Sequence, residues 1–246
     1  MKRIFLEDLT AAELKIIGQD ARHLAYSLRA RRGDRITAVD KIGNCAVIEL
    51  TDFNNDTIKA RRVGELMKIV VDKKIILADC LPKQNRFETI IEKATELGVD
   101  EIIPLISERT IARPGGVREK NKLERWKKIV KEAAEQSGRD TIPEIGDVRK
   151  LDDWLKEISP LNENYFLLFC WENEQITTVR EALTIYKNSG GRKNIIVLIG
   201  SEGGFSEREV LEIKSVGGVS ASLGKRILKT DTAAISVLAM INYEFM

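Results

Sequence analysis

The chain has little with which to hold a metal: one histidine, His23, and three widely spaced cysteines, Cys45, Cys80 and Cys170, in 246 residues. With no Cys pair and no second imidazole, a zinc site is disfavoured and no metal is expected. Cys80 and Cys170 lie inside apolar, strand-like runs. Buried free thiols in a reducing cytosol follow, and with them a cytoplasmic location. No apolar run approaches the roughly 18 residues of a membrane span, so no membrane association is expected. The start, Met1-Lys2-Arg3-Ile4-Phe5, lacks the apolar core of a secretory signal. Internal repeats and low-complexity tracts are missing too. Neither G-x-x-x-x-G-K-[ST] nor G-x-G-x-x-G occurs. That disfavours a P-loop enzyme and a dinucleotide-binding oxidoreductase.

Net charge is also small, +2, but it is unevenly placed. Arg22, Arg29, Arg31, Arg32 and Arg35 are interrupted by Asp34 alone. From Arg109 through Arg113 to Lys131 basic residues dominate, against Glu119 and Glu124. Basic patches on a near-neutral protein suit a phosphate-backbone partner; the alternative is a solvated helix face.

Two grammars divide the chain. Residues 1–70 read as a small β-rich domain. Arg35–Asp40, Cys45–Leu50 and Thr57–Val63 carry strand patterns, with a hairpin-type turn at Lys41-Ile42-Gly43-Asn44. Asp20–Arg29 reads as a helix capped by Asp20, with Leu24 and Leu28 on one face, ending near Gly33. Residues 73–246 alternate strands and helices. Strands are expected at 74–79, 101–106, 165–170, 194–199 and 219–223, with Pro104 casting doubt on the second. Phe87, Ile90, Ile91, Ala94 and Leu97 form one helical face before a stop at Gly98. Leu123, Trp126, Ile129, Val130, Ala133 and Ala134 mark a longer helix. A last helix, about Thr232 to Tyr243, is apolar nearly all round and suggests a subunit interface. The sum is an α/β domain with a mostly parallel sheet.

The chemistry concentrates in two motifs, Ile199-Gly200-Ser201-Glu202-Gly203-Gly204-Phe205 and Leu223-Gly224-Lys225-Arg226-Ile227-Leu228-Lys229-Thr230-Asp231-Thr232-Ala233. Each follows a buried-strand pattern and precedes a helical one. Two such strand ends can wall a small-molecule pocket. Glycines admit close backbone approach, and Ser206 with Glu209 reads as the capping box of the next helix.

These motifs resemble the I-G-P-E-G-G-[FL] and L-G-x-R-[IV]-L-R-x-E-T-A signatures of RsmE-type ribosomal RNA uridine-N3 methyltransferases. The resemblance extends to Lys93-Ala-Thr-Glu-Leu-Gly-Val99, Ser107-Glu108-Arg109, and Glu132-Ala-Ala-Glu-Gln136 with Arg139 and Pro143. It also takes in His23-Leu-Ala-Tyr-Ser-Leu-Arg29 with Gly33-Asp34, and Arg3-Ile-Phe. Three positions depart: Ser201 stands for the usual Pro, Lys229 for Arg, and Asp231 for Glu. Serine frees φ in the loop, and lysine loses the guanidinium fork.

The resemblance implies an N-terminal PUA-like RNA-binding domain, a C-terminal SPOUT domain with a trefoil knot, and a homodimer. It implies S-adenosylmethionine as cofactor and small-subunit (16S) ribosomal RNA, or the ribosomal particle, as partner. The matching cofactor positions are Phe169, Cys170, Trp171 and Glu172; Gly200, Ser201, Gly203, Gly204 and Phe205; and Leu223, Gly224, Ile227, Leu228 and Thr230. Trp171 could touch cofactor or base, and Phe205 could instead pack the loop. Methyl transfer needs aligned reactants and donors for the charge developing on the uracil. Arg3, Arg139 and Arg226 are the candidates for that role or for gripping phosphate. Glu202 or Asp231 would accept the proton, fix the loop, or serve only as a cap. Arg22, Arg29, Arg31, Arg32, Arg109 and Arg113 are the RNA-binding candidates, and His23 is a lesser one. Trp126 belongs to the core. The rival readings are a SPOUT enzyme methylating ribose 2′-O and a non-catalytic RNA-binding protein of the same fold.

Overall fold

The computed structural model describes residues 3–41, 43–54, 56–68, 73–83, 85–111, 117–159, 163–189 and 194–245. The chain forms two compact units, one of Met1–Val71 with Ala134–Thr141 and one of Asp72–Ala133 with Ile142–Met246. The boundary expected between 70 and 73 falls on residues outside the described ones, as does Ile42 of the hairpin turn.

The first unit holds strands β1 (Arg3–Leu6), β2 (Glu13–Ile17), β3 (Arg35–Asp40), β4 (Asn44–Asn54), β5 (Thr57–Arg62) and β6 (Met67–Lys68). They pair in the order β1-β3-β4-β5-β2, with β6 on β4. The β1–β3 pairing is parallel and the others are antiparallel. Alternation drives the burial: in β2, Leu14 and Ile16 point inward while Glu13, Lys15 and Ile17 face solvent. Leu9, Leu24, Ile36, Ile48, Leu50 and Ile58 complete this core.

The helix here differs from its expected form. α1 (Gly18–Arg22) starts at Gly18 with Ile17 as its N-cap and no side-chain cap, so Asp20 sits in the first turn instead. The chain then widens into a π-helical turn over His23–Ser27. Arg29 turns left-handed at φ 49°, ending the helix before Gly33.

In the second unit the strands are β7 (Ile75–Cys80), β8 (Glu101–Ile106), β9 (Glu144–Ile145), β10 (Arg149–Lys150), β11 (Tyr165–Cys170), β12 (Asn194–Ile199) and β13 (Val219–Ala221). The helices are α2 (Arg86–Glu96), α3 (Val117–Ser137, in this unit as far as Ala133), α4 (Leu151–Ile158), α5 (Val179–Asn188), α6 (Glu207–Ser215) and α7 (Thr230–Phe245). The order is β10-β8-β7-β12-β11-β13, with β9 on β8. Every pairing among these strands is parallel. One face buries Leu77, Ile90, Phe166, Val197 and Val237; the other buries Ile76, Leu105, Trp154, Leu198 and Phe205. Helices cover both faces, which is why the strands read as continuous apolar runs.

Pro104 is accommodated without loss. Ile102 accepts from Gly146 on the β9 side, and Leu105 accepts from Leu81 on the β7 side. By alternation Pro104 faces the outer side, where β9 pairs with Glu101 and Ile102 and β10 with Leu105 and Ile106. The ring's missing N–H thus falls in the gap between two short strands. The expected strand 219–223 is shorter, ending at Ala221. α7 buries Ala234, Val237, Leu238 and Ile241 but leaves Met240 and Tyr243 exposed.

Candidate active site

The C-terminal ends of β11, β12 and β13 splay around a cavity of about 490 Å³. In open parallel sheets, ligands bind beyond these carboxyl ends. Cys170, Trp171 and Glu172 line it from β11, Ile199–Gly204 from β12, and Ala221–Thr230 with Ala233 from β13 and the start of α7. The two glycine-containing motifs meet here. Thr230 Oγ1 donates to the Gly200 carbonyl at 2.9 Å, joining them across thirty positions of sequence.

Small residues are needed for steric reasons. A Cβ on Gly200 would stand 3.3 Å from the Gly204 backbone and the Phe205 ring. Gly204 has φ +65°, and a Cβ there would fall on the Glu172 carboxylate. Gly224, at φ +109°, adopts a conformation that side chains disfavour. Below the cavity, Phe169 and Phe205 meet edge to face at 6.1 Å, both buried. They pack the floor and do not line the cavity. Every other position matched to the cofactor does line it. Cys170 borders it as a thiol, its pKa pushed up to about 12 by burial, so it is no nucleophile.

The loop 200–205 is anchored from outside. Both Glu202 carboxylate oxygens accept the Lys83 backbone N–H, at 3.0 and 3.1 Å, and Arg86 Nη1 lies 3.5 Å from one of them. Glu202 therefore fixes the loop. At the loop's end the expected capping box forms: Glu209 N–H donates to Ser206 Oγ, and Ser206 N–H to the buried Glu209 carboxylate. Glu209 also accepts the Glu108 N–H at 2.7 Å, and Ser206 Oγ donates to the Glu108 carboxylate at 2.7 Å.

Arg226 lines the cavity with an exposed side chain and no hydrogen-bond or ion-pair partner among the described residues. Arg3 and Arg139 do not line it. Arg3 Nη1 donates to the Gly138 carbonyl and to Asp140, each at 2.5 Å, within the first unit. Arg139 donates to the Thr141 carbonyl through Nε at 3.2 Å. Arg22, Arg29, Arg31 and Arg32 are exposed on the first unit, as is His23. Arg22 pairs with Asp56 at 3.2 Å. Arg109 is exposed and donates to the Gly203 carbonyl at 2.9 Å. Arg113 lies outside the described residues, and Trp126 is core, edge to face with Phe87.

Sequence reasoning missed several groups. Ser222, Lys225, Lys229 and Ala233 also line the cavity; the last three lie in the quoted motif and Ser222 at its edge. Tyr26, 71% exposed, stands among the arginines of the first unit. Asp79, one residue before the end of β7, pairs with Ile199. Its two carboxylate oxygens and the Ser201 hydroxyl are buried without a hydrogen-bond partner among the described residues. Burial, then Glu202 and Asp231, pushes the Asp79 carboxyl far up. Among the described residues no group of His, Cys, Asp and Glu could hold a metal ion, and no helix is long and apolar enough to cross a membrane.

Such a cavity at the ends of a parallel sheet agrees with the family model that matches residues 71–242, an RNA methyltransferase domain. Over nearly its full length the chain is similar to ribosomal RNA small subunit methyltransferase E of Bacillus subtilis, 30% identical over 99% of this chain and 97% of that one. The protein of the same name from Mesomycoplasma hyopneumoniae is 34% identical over 67% of each. Among solved structures, ribosomal RNA small subunit methyltransferase E of Neisseria gonorrhoeae, bound to S-adenosyl methionine, superposes with a TM-score of 0.84. It is 28% identical and covers 99% of this chain and 98% of that one. The chain belongs to the ribosomal RNA small subunit methyltransferase E family.

Proposed function

We propose that the chain transfers the methyl group of S-adenosylmethionine to N3 of a uridine in small-subunit ribosomal RNA. One observation carries the reading: a glycine-lined cavity at the ends of three parallel strands, in a chain of this family. Its volume suits a ligand of that size. The close backbone approaches at Gly200 and Gly204 leave room that side chains would fill. Bound there, S-adenosylmethionine supplies an activated methyl group.

The remaining work falls to the chain's own residues. Thr230 and Glu202 hold the two loops in register, so that the cavity walls are fixed before the RNA arrives. The N3 proton passes to solvent, N3 takes the methyl with release of a neutral thioether, and negative charge develops meanwhile on the neighbouring base oxygens. Arg226, a cation on the cavity wall with no partner among the described residues, is the donor that meets this charge. The N3 atom lies on the pairing edge, so the base must leave its stack. Arg22, Arg29, Arg31 and Arg32 of the first unit grip RNA backbone, as does Arg109 of the second, and Tyr26, exposed between Arg22 and Arg29 in sequence, offers a stacking face.

The finer architecture belongs to the same proposal. The second unit is a SPOUT-type domain whose segment between β13 and α7 threads a knot, and the first is a PUA-like domain. Support for the former comes from β12 lying between β7 and β11, with β13 outside β11. The exposed Met240 and Tyr243 of α7 support a homodimer interface. Incubation with methyl-labelled S-adenosylmethionine and unmethylated small subunits should move label into RNA. RNA affinity should fall as salt rises; affinity indifferent to salt would count against the arginine surface.

A further inference from the structure

We propose that Arg109, outside the cavity, is a positioning residue that clamps the cofactor loop from behind. The inference rests on the reading of the cavity as an S-adenosylmethionine site. Arg109 follows β8, a strand that supplies nothing to the cavity lining. Its guanidinium donates to the Gly203 carbonyl at 2.9 Å. Its stem lies against the same residue: a Cβ on Gly203 would stand 2.9 Å from the Arg109 Cβ and 3.4 Å from its carbonyl oxygen. Gly203 itself lines the cavity, so the loop is walled by ligand space on one side and by Arg109 on the other.

The turn carrying Arg109 is rigid enough to act as a clamp. Ser107 and Thr110 are buried and bonded to one another through their hydroxyls at 2.8 Å, and Ser107 N–H donates to Thr110 Oγ1 at 3.0 Å. Glu108 is tied to Ser206 and Glu209. The turn thus grips the loop at Gly203 and again at its exit into α6. Glu202, held by Lys83, provides the third point. A loop held at three points pays little ordering cost when a ligand settles on its inner face. Arg109 is exposed, so the same side chain is also open to an RNA phosphate. The clamp role is separable because it acts without RNA.

The test is calorimetric titration of the purified full chain with S-adenosylmethionine, no RNA present. Arg109→Met keeps the stem and removes every donor. The expected result is about tenfold weaker cofactor binding, with a melting temperature close to that of the unaltered protein. Lys156→Met, the same charge change on exposed α4, should bind as the unaltered protein does. Arg109→Gln, shorter and without the guanidinium fork, should also weaken binding, which keeps the test valid if Arg109→Met folds poorly. Affinity of Arg109→Met and Arg109→Gln equal to that of the unaltered protein would overturn the clamp alone. No binding by the unaltered protein would overturn the cofactor reading of the cavity, and the clamp with it.

Discussion

Asp79→Asn should stabilise the protein at neutral pH and leave it unchanged in acid. Asp79 pairs with Ile199 and, two residues on from Leu77, shares its sheet face. Both its oxygens are buried without a hydrogen-bond partner among the described residues. Burial in low dielectric, reinforced by Glu202 and Asp231, raises its pKa well above the usual 3.8. The sign follows from linkage. The folded state binds this proton more tightly than the unfolded state, so stability is greatest below the unfolded pKa. It falls as pH rises toward the folded pKa. Each pH unit in that window costs at most about 1.4 kcal/mol, which sets a ceiling of about 4 kcal/mol at pH 7. Asparagine keeps the shape and needs no proton, so it escapes this loss. Its amide is as poorly partnered as the protonated acid, so at pH 4 the two proteins should match. Chemical denaturation at pH 4, 5.5 and 7 would show the variant's advantage growing with pH, up to that ceiling. An advantage independent of pH, or a variant weaker at pH 7 than at pH 4, would refute the reasoning, since it would mean a carboxyl whose hold on its proton is not raised by folding.

Other consequences follow from the loops. Gly204→Ala must strain a positive φ and displace the Glu172 carboxylate, so cofactor binding should fall below detection by calorimetry while the fold, read by circular dichroism, persists. Thr230→Val removes the bond between the two motifs, and cofactor affinity should drop by a factor equivalent to about 1 kcal/mol. Glu209→Ala leaves the Ser206 and Glu108 N–H groups without their acceptor in a buried setting; thermal unfolding should show a loss of about 2–4 kcal/mol.

The alternation of strand and helix was legible because the second unit buries its sheet on both faces. Runs such as Tyr165–Cys170 and Asn194–Ile199 then carry an unbroken apolar signal. The capping box of Ser206 and Glu209 was legible for a local reason: its partners are three residues apart. The same signature at Thr178 and Glu181 opens α5 and went unread, as did the short α4. β1 was missed because four residues give no period to count. The π-helical turn after α1 was missed because a widened turn keeps the apolar spacing of an ordinary helix near Leu24 and Leu28.

Within the site, the glycines and the cavity walls could be read from the two motifs. Long-range partners could not. Nothing local says that Thr230 reaches Gly200, that Arg109 holds Gly203, or that Glu202 is committed to Lys83. Charge alone assigned Arg109 to RNA, and its bond to Gly203 gives it a part in holding the loop; for Glu202 proton chemistry and loop fixing were both open, and its bonds to Lys83 favour the second. Phe169 was grouped with the cofactor by position in a motif, whereas strand alternation turns its ring into the core; Phe205, in the loop after β12, packs against it, which is the packing alternative already open for that residue.

The central claim is the transfer of a methyl group to uridine N3, and the most direct measurement is the identity of the labelled nucleoside. Small ribosomal subunits from a strain lacking the activity would be incubated with this protein and methyl-labelled S-adenosylmethionine, then digested and separated by chromatography with mass detection. The account predicts label in 3-methyluridine. Label on a ribose or on another base would contradict it, and no label from a protein that still binds the cofactor would point to a binding role instead.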